Sequence, residues 1–248
     1  MTSRAEQSPY SNKSEGKSQH GRIVRELGLR ILAGELAPGD RLPAEATLSE
    51  KYEVSRPVLR EAVRVLAAKG LVLSRQRAGA IVRPRSEWHL LDPDVLYWMI
   101  QTRPAHEFLH TLMDMRRVFE PGAAALAARA ASDEQLAGIA QAYEAMAAAS
   151  DVDALLEPDL AFHRRIAEAT GNDLMAYIGT MLSLALRESI KLSSRLPNTH
   201  ALSLPRHKAI LTALQARDAA AAHQATVLQL DATQLDLSAV ISTGVDLH

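Results

Sequence analysis

In the first third of the chain, apolar residues recur three or four positions apart in three short segments, which predicts three helices. The first is 22–33, ended by Gly34, and the second is 45–53, EATLSEKYE. The third is 56–70, RPVLREAVRVLAAKG, with Ser55 as its N-cap. The inner faces of these helices are predicted to carry Ile23, Val24, Leu27, Ile31, Leu32, Leu48, Tyr52, Val58, Ala62, Val65 and Leu66.

Arginines occupy a separate face of the third predicted helix. Arg56, Arg60 and Arg64 recur every four residues, beginning at its N-terminal end. A tight turn followed by a helix with Arg at its start is typical of a helix-turn-helix. There the recognition helix enters the major groove, where Arg reaches guanine edges or phosphates. The pattern predicts DNA binding, with a small helical domain whose arginines are merely solvated as the alternative.

The segment after this helix predicts a β-hairpin. Residues 71–83, LVLSRQRAGAIVR, alternate enough for two strands around a turn at Gly79. Arg75 and Arg77 would then be available to contact phosphates. Three helices followed by a hairpin predict a winged helix-turn-helix over residues 21–84.

Beyond residue 84 the pattern is helical, without a convincing strand. Asp92 and Pro93 open a helix within a linking stretch, residues 85–104. Ala-rich stretches separated by Pro, Gly and Ser-Asp breaks then predict an all-α bundle of six or seven helices over residues 105–240. The chain is therefore expected to be mainly α. The predicted bundle helices are 105–119, 121–131, 133–149, 153–170, 172–195, 203–216 and 218–238.

Charge divides the chain at the same place as the hydrophobic pattern. Residues 1–86 contain 16 Lys and Arg against 9 Asp and Glu, whereas the remainder contains 12 against 20. A basic part joined to an acidic part predicts that the first meets a polyanion and the second does something else.

Composition narrows the class of protein further. No apolar run approaches the roughly 20 residues that span a membrane, and the polar, Ser-rich residues 1–20 predict a disordered arm and not a secretion signal. The absence of Cys excludes disulfides, thiolate zinc sites and a Cys nucleophile. We expect a cytoplasmic protein with no membrane partner.

A candidate metal site lies in the acidic part. Asp159 and His163 are four positions apart in DLAFH, which places both on one face of a helix, and His207 is a third candidate from another helix. Asp218 would cap the last helix, and Gln229 lies eleven residues beyond it, as His207 lies eleven before it. A carboxylate and two imidazoles are able to hold Zn²⁺, Ni²⁺ or Mn²⁺ with open positions.

The basic part resembles a known family. ILAGELAPGDRLPAEATLSEKYEVSRPVLREAVRVLAAKGLV followed by AGAIV is similar to the N-terminal winged helix of GntR-type bacterial transcription regulators. The loop PGDRLPAE, the VSR turn and REA before a GLV strand fall in the family's order. By this resemblance, the expected DNA contacts are Ser55, Arg56, Pro57, Val58 and Arg60, with Gly79 at the wing tip.

The acidic part extends the resemblance to a subfamily. MRRVFEPGAAALAARAA, DLAFHRRIAEATGN and RHKAILTALQARDAAAA are together similar to the helical effector domain of the FadR subfamily. RSEWHLLDPDVLYWM, residues 85–99, resembles more narrowly regulators of sugar-acid catabolism such as galactonate-responsive ones. In metal-binding members a histidine completes Asp plus three His, and here Gln229 stands at that position, as a weak ligand or a spectator.

The resemblance also suggests how an acidic effector would be held. Arg116 and Glu120 match the subfamily's inward-facing Arg and Glu, and Arg187 is a second candidate for binding a carboxylate. The alternative for Arg116 is a buried pair with Glu120 that holds the bundle together.

Together these patterns predict a ligand-responsive transcription regulator. We expect a homodimeric repressor that reads a roughly palindromic double-stranded DNA operator and binds a small organic acid, such as an aldonate, in the helical domain. One alternative is a metal-dependent hydrolase or lyase with a DNA-binding appendage, for which no general-base motif such as HExxH is found. The other is a constitutive DNA-binding protein whose bundle only dimerises.

Overall fold

The computed structural model describes residues 19–75, 79–193 and 199–242. The chain separates into two compact units, with the division after Pro104. Within the described ranges the secondary structure is ten α-helices, one 3₁₀ turn and one two-stranded sheet, which confirms the mainly α fold. None of the described helices is long and apolar enough to cross a membrane.

The first unit contains four helices: α1 (Gln19–Leu32), α2 (Glu45–Tyr52), α3 (Arg56–Ala68) and α4 (Pro93–Thr102). Of the predicted disordered arm, residues 1–18 lie outside the described chain, whereas Gln19 and His20 already belong to α1. Apolar side chains of α1, α2 and α3 form one core, as their spacing predicts. Its buried members include Ile23, Val24, Leu27, Ile31, Leu48, Tyr52, Leu59, Ala62 and Leu66.

The turn between α2 and α3 has the expected helix-turn-helix form. Glu53 takes the left-handed conformation with φ 54°, Val54 is buried, and Ser55 is the N-cap residue of α3. Of the inner stripe predicted for α3, Ala62 and Leu66 are buried as expected. Val58 and Val65 are only half-buried, and Leu59 is buried in place of Val58. The side chain of Leu59 is fully buried.

The predicted wing is present as an antiparallel pair. Strand β1 (Val72–Arg75) pairs with β2 (Gly79–Val82), in the register Val72 with Val82 and Arg75 with Gly79. Gly79 has φ +78°, a conformation that a residue with a side chain rarely adopts. The tip between the strands, which includes Arg77, lies outside the described residues, as does the side chain of Arg75.

The helix α4 starts where its capping pattern predicts. Asp92 Oδ1 accepts hydrogen bonds from the backbone N–H of Asp94 and of Val95, and Pro93 occupies the first turn. The indole of Trp98 lies against Gly28 of α1, where an added Cβ would come within 2.4 Å of the ring. The absence of a side chain at position 28 therefore allows α4 to pack on α1.

The second unit is the predicted all-α bundle, of six helices over the described residues. Buried apolar side chains from α5, α6, α7, α9 and α10 form its main core around Phe162, Ile139 and Leu214. The helices are α5 (Ala105–Ala130), α6 (Asp133–Ala147), α7 (Val152–Glu168), α8 (Asp173–Ser193), α9 (Thr199–Gln215) and α10 (Ala219–Ser242).

Two predicted helix boundaries, in α5 and α9, differ from the structure by more than a residue or two, the first of them at a proline. The chain was expected to break at Pro121–Gly122, but α5 continues through Pro121. The ring costs one backbone hydrogen bond, and buried residues on both sides, such as Met113 and Ala124, hold the two halves in the same bundle. The other is the start of α9, which lies at Thr199, four residues before the predicted start at 203.

Candidate metal centre and nucleic-acid interface

Two helices bring the three predicted metal ligands together. Asp159 and His163 are one turn apart on α7, and α9 supplies His207. His163 Nε2 lies 3.2 Å from Asp159 Oδ1 and 3.4 Å from His207 Nε2. One ligand atom from each of the three residues lies within 4.8 Å of the others, a separation that suits a single bound cation.

Hydrogen bonds on the far side of each imidazole fix which nitrogen faces the cluster. His207 Nδ1 lies 3.0 Å from the backbone oxygen of Ser203, which only accepts, so Nδ1 carries the proton. His163 Nδ1 lies 3.2 Å from Glu120 Oε2. Both rings therefore direct Nε2 inward. This arrangement, in which the outer nitrogen is held by a carbonyl or carboxylate, is typical of metal-binding histidines.

Burial and charge set the protonation of the two imidazoles differently. Burial lowers the pKa of His207 to about 4, against the smaller opposing effect of Asp159, so this ring is neutral at pH 7. Burial acts in the same direction on His163, but the carboxylates of Glu120 and Asp159 outweigh it and raise its pKa to about 9. A cation bound at Nε2 of His163 would take the place of that extra proton between the same carboxylates.

Glu120 is held in turn by Arg116. The Arg116 Nε donates to Glu120 Oε1 at 2.6 Å, and both side chains are buried. Burial raises the pKa of Glu120, but Arg116 and His163 outweigh it and lower that pKa to about 2. The buried ion pair between Arg116 and Glu120, the predicted alternative to effector binding by Arg116, is therefore present. Through Glu120 the pair also supports His163.

Two buried oxygen atoms at this site indicate that it suits a cation. Gln229 Oε1 is buried and has no hydrogen-bond partner among the described residues. Asp159 Oδ1 is buried too, and the groups facing it are the Nε2 atoms of His163 and His207, at 3.2 and 4.0 Å. A buried acceptor without a donor costs about 1–3 kcal/mol. A divalent cation on the three ligands would satisfy Asp159 directly, so the residues present fit a metal.

The cluster forms one wall of a small cavity of about 30 Å³. That volume admits an ion and a water but is well below the roughly 300 Å³ or more of ordinary small-molecule sites. Arg116 and Gln229 line it, as the sequence predicted for an inward-facing Arg and a fourth-ligand position. The other polar residues of the wall were not predicted: Ser189, Thr199, His200, Ser203, Arg206, Thr233 and Asp236.

Two predicted effector contacts do not line this cavity. Arg187 instead forms an ion pair with Glu157, because its position on α8 turns it toward that exposed carboxylate. Glu120 lies behind His163 and Arg116 and contacts the cavity only through them. Ser203 had a usable sequence signal, since it precedes His207 by four residues on one helix face. No sequence pattern pointed to Arg206 or Asp236 as residues of the cavity wall.

The predicted DNA contacts lie together at the start of α3. Ser55, Arg56, Pro57 and Arg60 are exposed, whereas Val58 is half-buried. The Nε of Arg60 lies 3.3 Å from Glu45 Oε2 of α2, in an exposed ion pair. Such a pair is worth about 1 kcal/mol or less, so a phosphate or a guanine edge competes with it readily.

Comparisons with known proteins agree with both units. The profile of the bacterial regulatory proteins of the gntR family matches residues 19–82, and that of the FCD domain matches residues 111–232. The chain is 33% identical over 215 residues to the galactonate operon transcriptional repressor of Escherichia coli, across 84% of this chain and 92% of that protein. It is also 33% identical to the uncharacterized HTH-type transcriptional regulator YieP of Escherichia coli, across 82% and 88% of the two chains.

A solved structure supports the fold. Lar of Listeria monocytogenes superposes with a TM-score of 0.60 at 19% identity, covering 90% of this chain and 97% of that one. At this identity the likeness shows the fold alone. The winged helix and the FCD domain together make the protein an effector-responsive, DNA-binding transcription regulator and not an enzyme. The chain belongs to the GntR family of bacterial transcription regulators, in its FadR-type combination with an FCD domain.

Proposed function

We propose that this regulator is a repressor of sugar-acid catabolism genes, released from its operator when a small carboxylate effector binds beside a metal held by Asp159, His163 and His207. The observation that carries this proposal is the buried cavity in which two imidazole Nε2 atoms and a carboxylate converge next to Arg116. The name of the galactonate operon repressor, a relative at 33% identity, makes an aldonate such as galactonate the first effector to test.

The chemistry of the cavity suits a hydroxylated acid. Arg116 presents a guanidinium, which binds carboxylates well. A divalent cation, Zn²⁺, Ni²⁺ or Mn²⁺, would supply a Lewis-acidic centre for the carboxylate and an adjacent hydroxyl. Hydroxyl and charged groups that recognise sugar hydroxyls line the remaining wall: Ser189, Thr199, Ser203, Arg206, Thr233 and Asp236.

The small size of the cavity suggests how effector binding is coupled to a conformational change. At about 30 Å³ it is too small for a six-carbon acid, so the effector binds only when the helices around it move apart. An effector shifts a conformational equilibrium only if it binds the two states with different affinity. A cavity that is closed in one state and open in the other provides that difference.

DNA binding is assigned to residues 21–84, with 85–104 as the linking stretch and 105–240 as the effector domain. We assign operator contacts to Ser55, Arg56, Pro57, Val58 and Arg60 of the recognition helix region, and to Arg75, Arg77 and Gly79 of the wing. Such a regulator would act in the cytoplasm, where the bacterial chromosome lies.

A palindromic operator requires two copies of the protein. Met115, Val118 and Leu126 recur at helical spacing on one face of α5, and all three side chains are exposed, Val118 by 83%. Exposed apolar stripes of this kind mark interaction sites. This face of α5 is where we place the contact between the two copies of a homodimer.

The proposal is tested by the melting temperature of the purified protein with D-galactonate, with and without Mn²⁺, Ni²⁺ or Zn²⁺. Ligands that bind only the folded state raise the melting temperature. We expect galactonate to raise it more when metal is present, and D-galactose, which lacks the carboxylate, to leave it unchanged. His163→Ala should abolish the metal-dependent part, whereas His223→Ala, at an exposed position of α10, should keep it.

Operator binding supplies the second measurement. We expect galactonate to weaken binding of wild-type protein to its operator. If a panel of sugar acids changes neither the melting temperature nor the operator affinity, the protein is a constitutive DNA-binding protein and the proposed effector class is wrong.

A further inference from the structure

We propose that the side-chain oxygen of Gln229 is the fourth protein ligand of the metal centre, and that it lowers the preference of the site for Ni²⁺ and Zn²⁺ over Mn²⁺. This inference rests on the metal centre proposed above. It concerns which cation this chain selects, which the three-residue cluster alone does not determine.

Burial is the first observation that supports a ligand role for Gln229. The residue is 5% exposed and lines the same cavity as Asp159, His163 and His207. Its Oε1 is buried and has no hydrogen-bond partner among the described residues. Leaving a buried amide oxygen without a donor costs about 1–3 kcal/mol, so this atom requires a cation or a donor that arrives with the ligand.

The helix pairing explains how Gln229 reaches the cluster. α9 ends at Gln215, and Asp218 caps α10 by accepting from the N–H of Ala221 at 2.9 Å. The two helices pack against each other along their length. Because His207 and Gln229 lie eleven residues on either side of Asp218, they stand at the same height, about 16 Å from the turn at 1.5 Å per residue.

Two neighbouring donors on α9 and α10, Arg206 and Thr233, bear on whether the Gln229 oxygen has another partner. The hydroxyl of Thr233 donates to the backbone oxygen of Gln229 at 3.0 Å, not to its side chain. Arg206 Nη1 is the rival, since it lines the same cavity and lies 3.9 Å from Asp236 Oδ2, too far for a hydrogen bond. Arg206 is therefore the alternative partner for the Gln229 oxygen, and the experiment below separates this case from metal ligation.

The chemical consequence follows from the kind of donor atom. With Gln229 the site offers two oxygens and two imidazole nitrogens, whereas a fourth imidazole-type ligand would offer one oxygen and three nitrogens. Imidazole favours Zn²⁺ and Ni²⁺, while carboxylate and carbonyl oxygens suit Mn²⁺. The amide is also neutral, so it adds a ligand without adding a negative charge.

The test measures dissociation constants of Mn²⁺, Ni²⁺ and Zn²⁺ for the full-length protein without effector, by competition with a chelating dye. The variants are Gln229→Ala, which removes the oxygen, and Gln229→His, which replaces it with a nitrogen. Thr226→Val is the matched control, because Thr226 is also buried on α10, one turn earlier, and does not line the cavity.

We expect Gln229→Ala to weaken Mn²⁺ binding by at least about tenfold. Loss of a group that only supports a metal ligand already costs about that much, and a direct ligand should cost no less. Gln229→His should tighten Ni²⁺ and Zn²⁺ binding relative to Mn²⁺ by about tenfold or more, and Thr226→Val should match the wild type. Unchanged Mn²⁺ affinity in Gln229→Ala together with an unchanged metal ratio in Gln229→His would overturn the inference and leave Gln229 as a partner of Arg206. Wild-type protein that binds none of the three metals would instead overturn the metal centre itself.

Discussion

Glu120 Oε2 lies 3.2 Å from Nδ1 of His163 and joins α5 to the metal-ligand helix α7. Because this carboxylate holds the outer nitrogen, the Nε2 of His163 is the one that faces Asp159 and His207. Arg116, one turn before Glu120, holds the carboxylate in place. Arg116 and Glu120 therefore orient the metal ligand His163 through its outer nitrogen. Neither the sequence pattern nor the resemblance assigned them that role.

Replacing Glu120 by Gln should weaken metal binding while leaving the three ligands intact. The neutral amide keeps the shape of the side chain but loses the charge that supports the His163 ring, and loss of such an outer partner costs about 10–100-fold in metal affinity. Competition with a chelating dye measures the change. Glu168→Gln, in the exposed pair with Arg164 on α7, is the control and should leave the affinity unchanged. Equal affinities for both variants would show that Glu120 has no orienting role.

Removing either predicted base-reading arginine should weaken operator binding. Arg56→Ala and Arg60→Ala should each cost about 1–3 kcal/mol of binding free energy, because each side chain lies exposed at the start of the recognition helix. Fluorescence anisotropy on an operator selected from genomic fragments measures the loss. Arg129→Ala removes an exposed arginine from the second unit and should bind normally. If both α3 variants also bind normally, the recognition helix has been assigned incorrectly.

A charge on the exposed face of α5 should separate the two copies of the protein. Val118→Asp introduces a carboxylate at the position that is 83% exposed in the chain by itself. The single chain should fold as before, while burial of that charge in a dimer contact would be costly. Light scattering after size-exclusion chromatography should give the mass of one chain, against two for the wild type. Leu202→Glu, at an exposed leucine of α9, should retain the wild-type mass, and a dimeric Val118→Asp would place the contact elsewhere.

The first unit should lose a small part of its stability in acid through Glu26. Burial raises the pKa of Glu26, but hydrogen bonds from Lys51 and Tyr52, at 2.7 and 2.8 Å, outweigh it and lower that pKa below 4.5. A carboxyl group with a lowered pKa stabilises the fold above its unfolded value and loses that effect as pH falls through its folded value. Because the side chain is 42% exposed, the effect is about 1 kcal/mol or less.

Tryptophan fluorescence measures this effect on the first unit alone, because both tryptophans of the chain, Trp88 and Trp98, lie there. Urea unfolding between pH 7 and pH 3 should show a smaller loss of stability for Glu26→Gln than for the wild type. Parallel curves for the two proteins would mean that the contact between α1 and α2 does not depend on this charge.

Adding one methyl group at position 28 should destabilise the first unit. The Cβ of Gly28→Ala would lie 2.4 Å from the ring of Trp98, so the indole or α4 must move. Overpacking of this kind typically costs about 1–3 kcal/mol. The urea measurement with tryptophan fluorescence detects the loss, because Trp98 itself lies in the first unit.

The local features of both units were predictable because they depend on residues close in the chain. Apolar spacing gave α1, α2 and α3, and the Asp92–Pro93 pair gave the start of α4. Position in the family's motifs gave the place of Arg56 at the start of the recognition helix. The one-position error at Val58 arose because Val58 and Leu59 are neighbouring apolar residues that fit the helical period about equally well, and only burial in the folded unit selects Leu59.

The sequence by itself determined the helix-turn-helix, the wing and the spacing of Asp159 and His163, since each is a short-range pattern. Only the tertiary structure decided that Glu120 supports His163, that Arg187 pairs with Glu157 away from the cavity, and that α5 continues through Pro121. These outcomes depend on residues far apart in the chain, which meet only when helices pack. The free energy of that packing outweighs local preferences such as the tendency of a proline to end a helix.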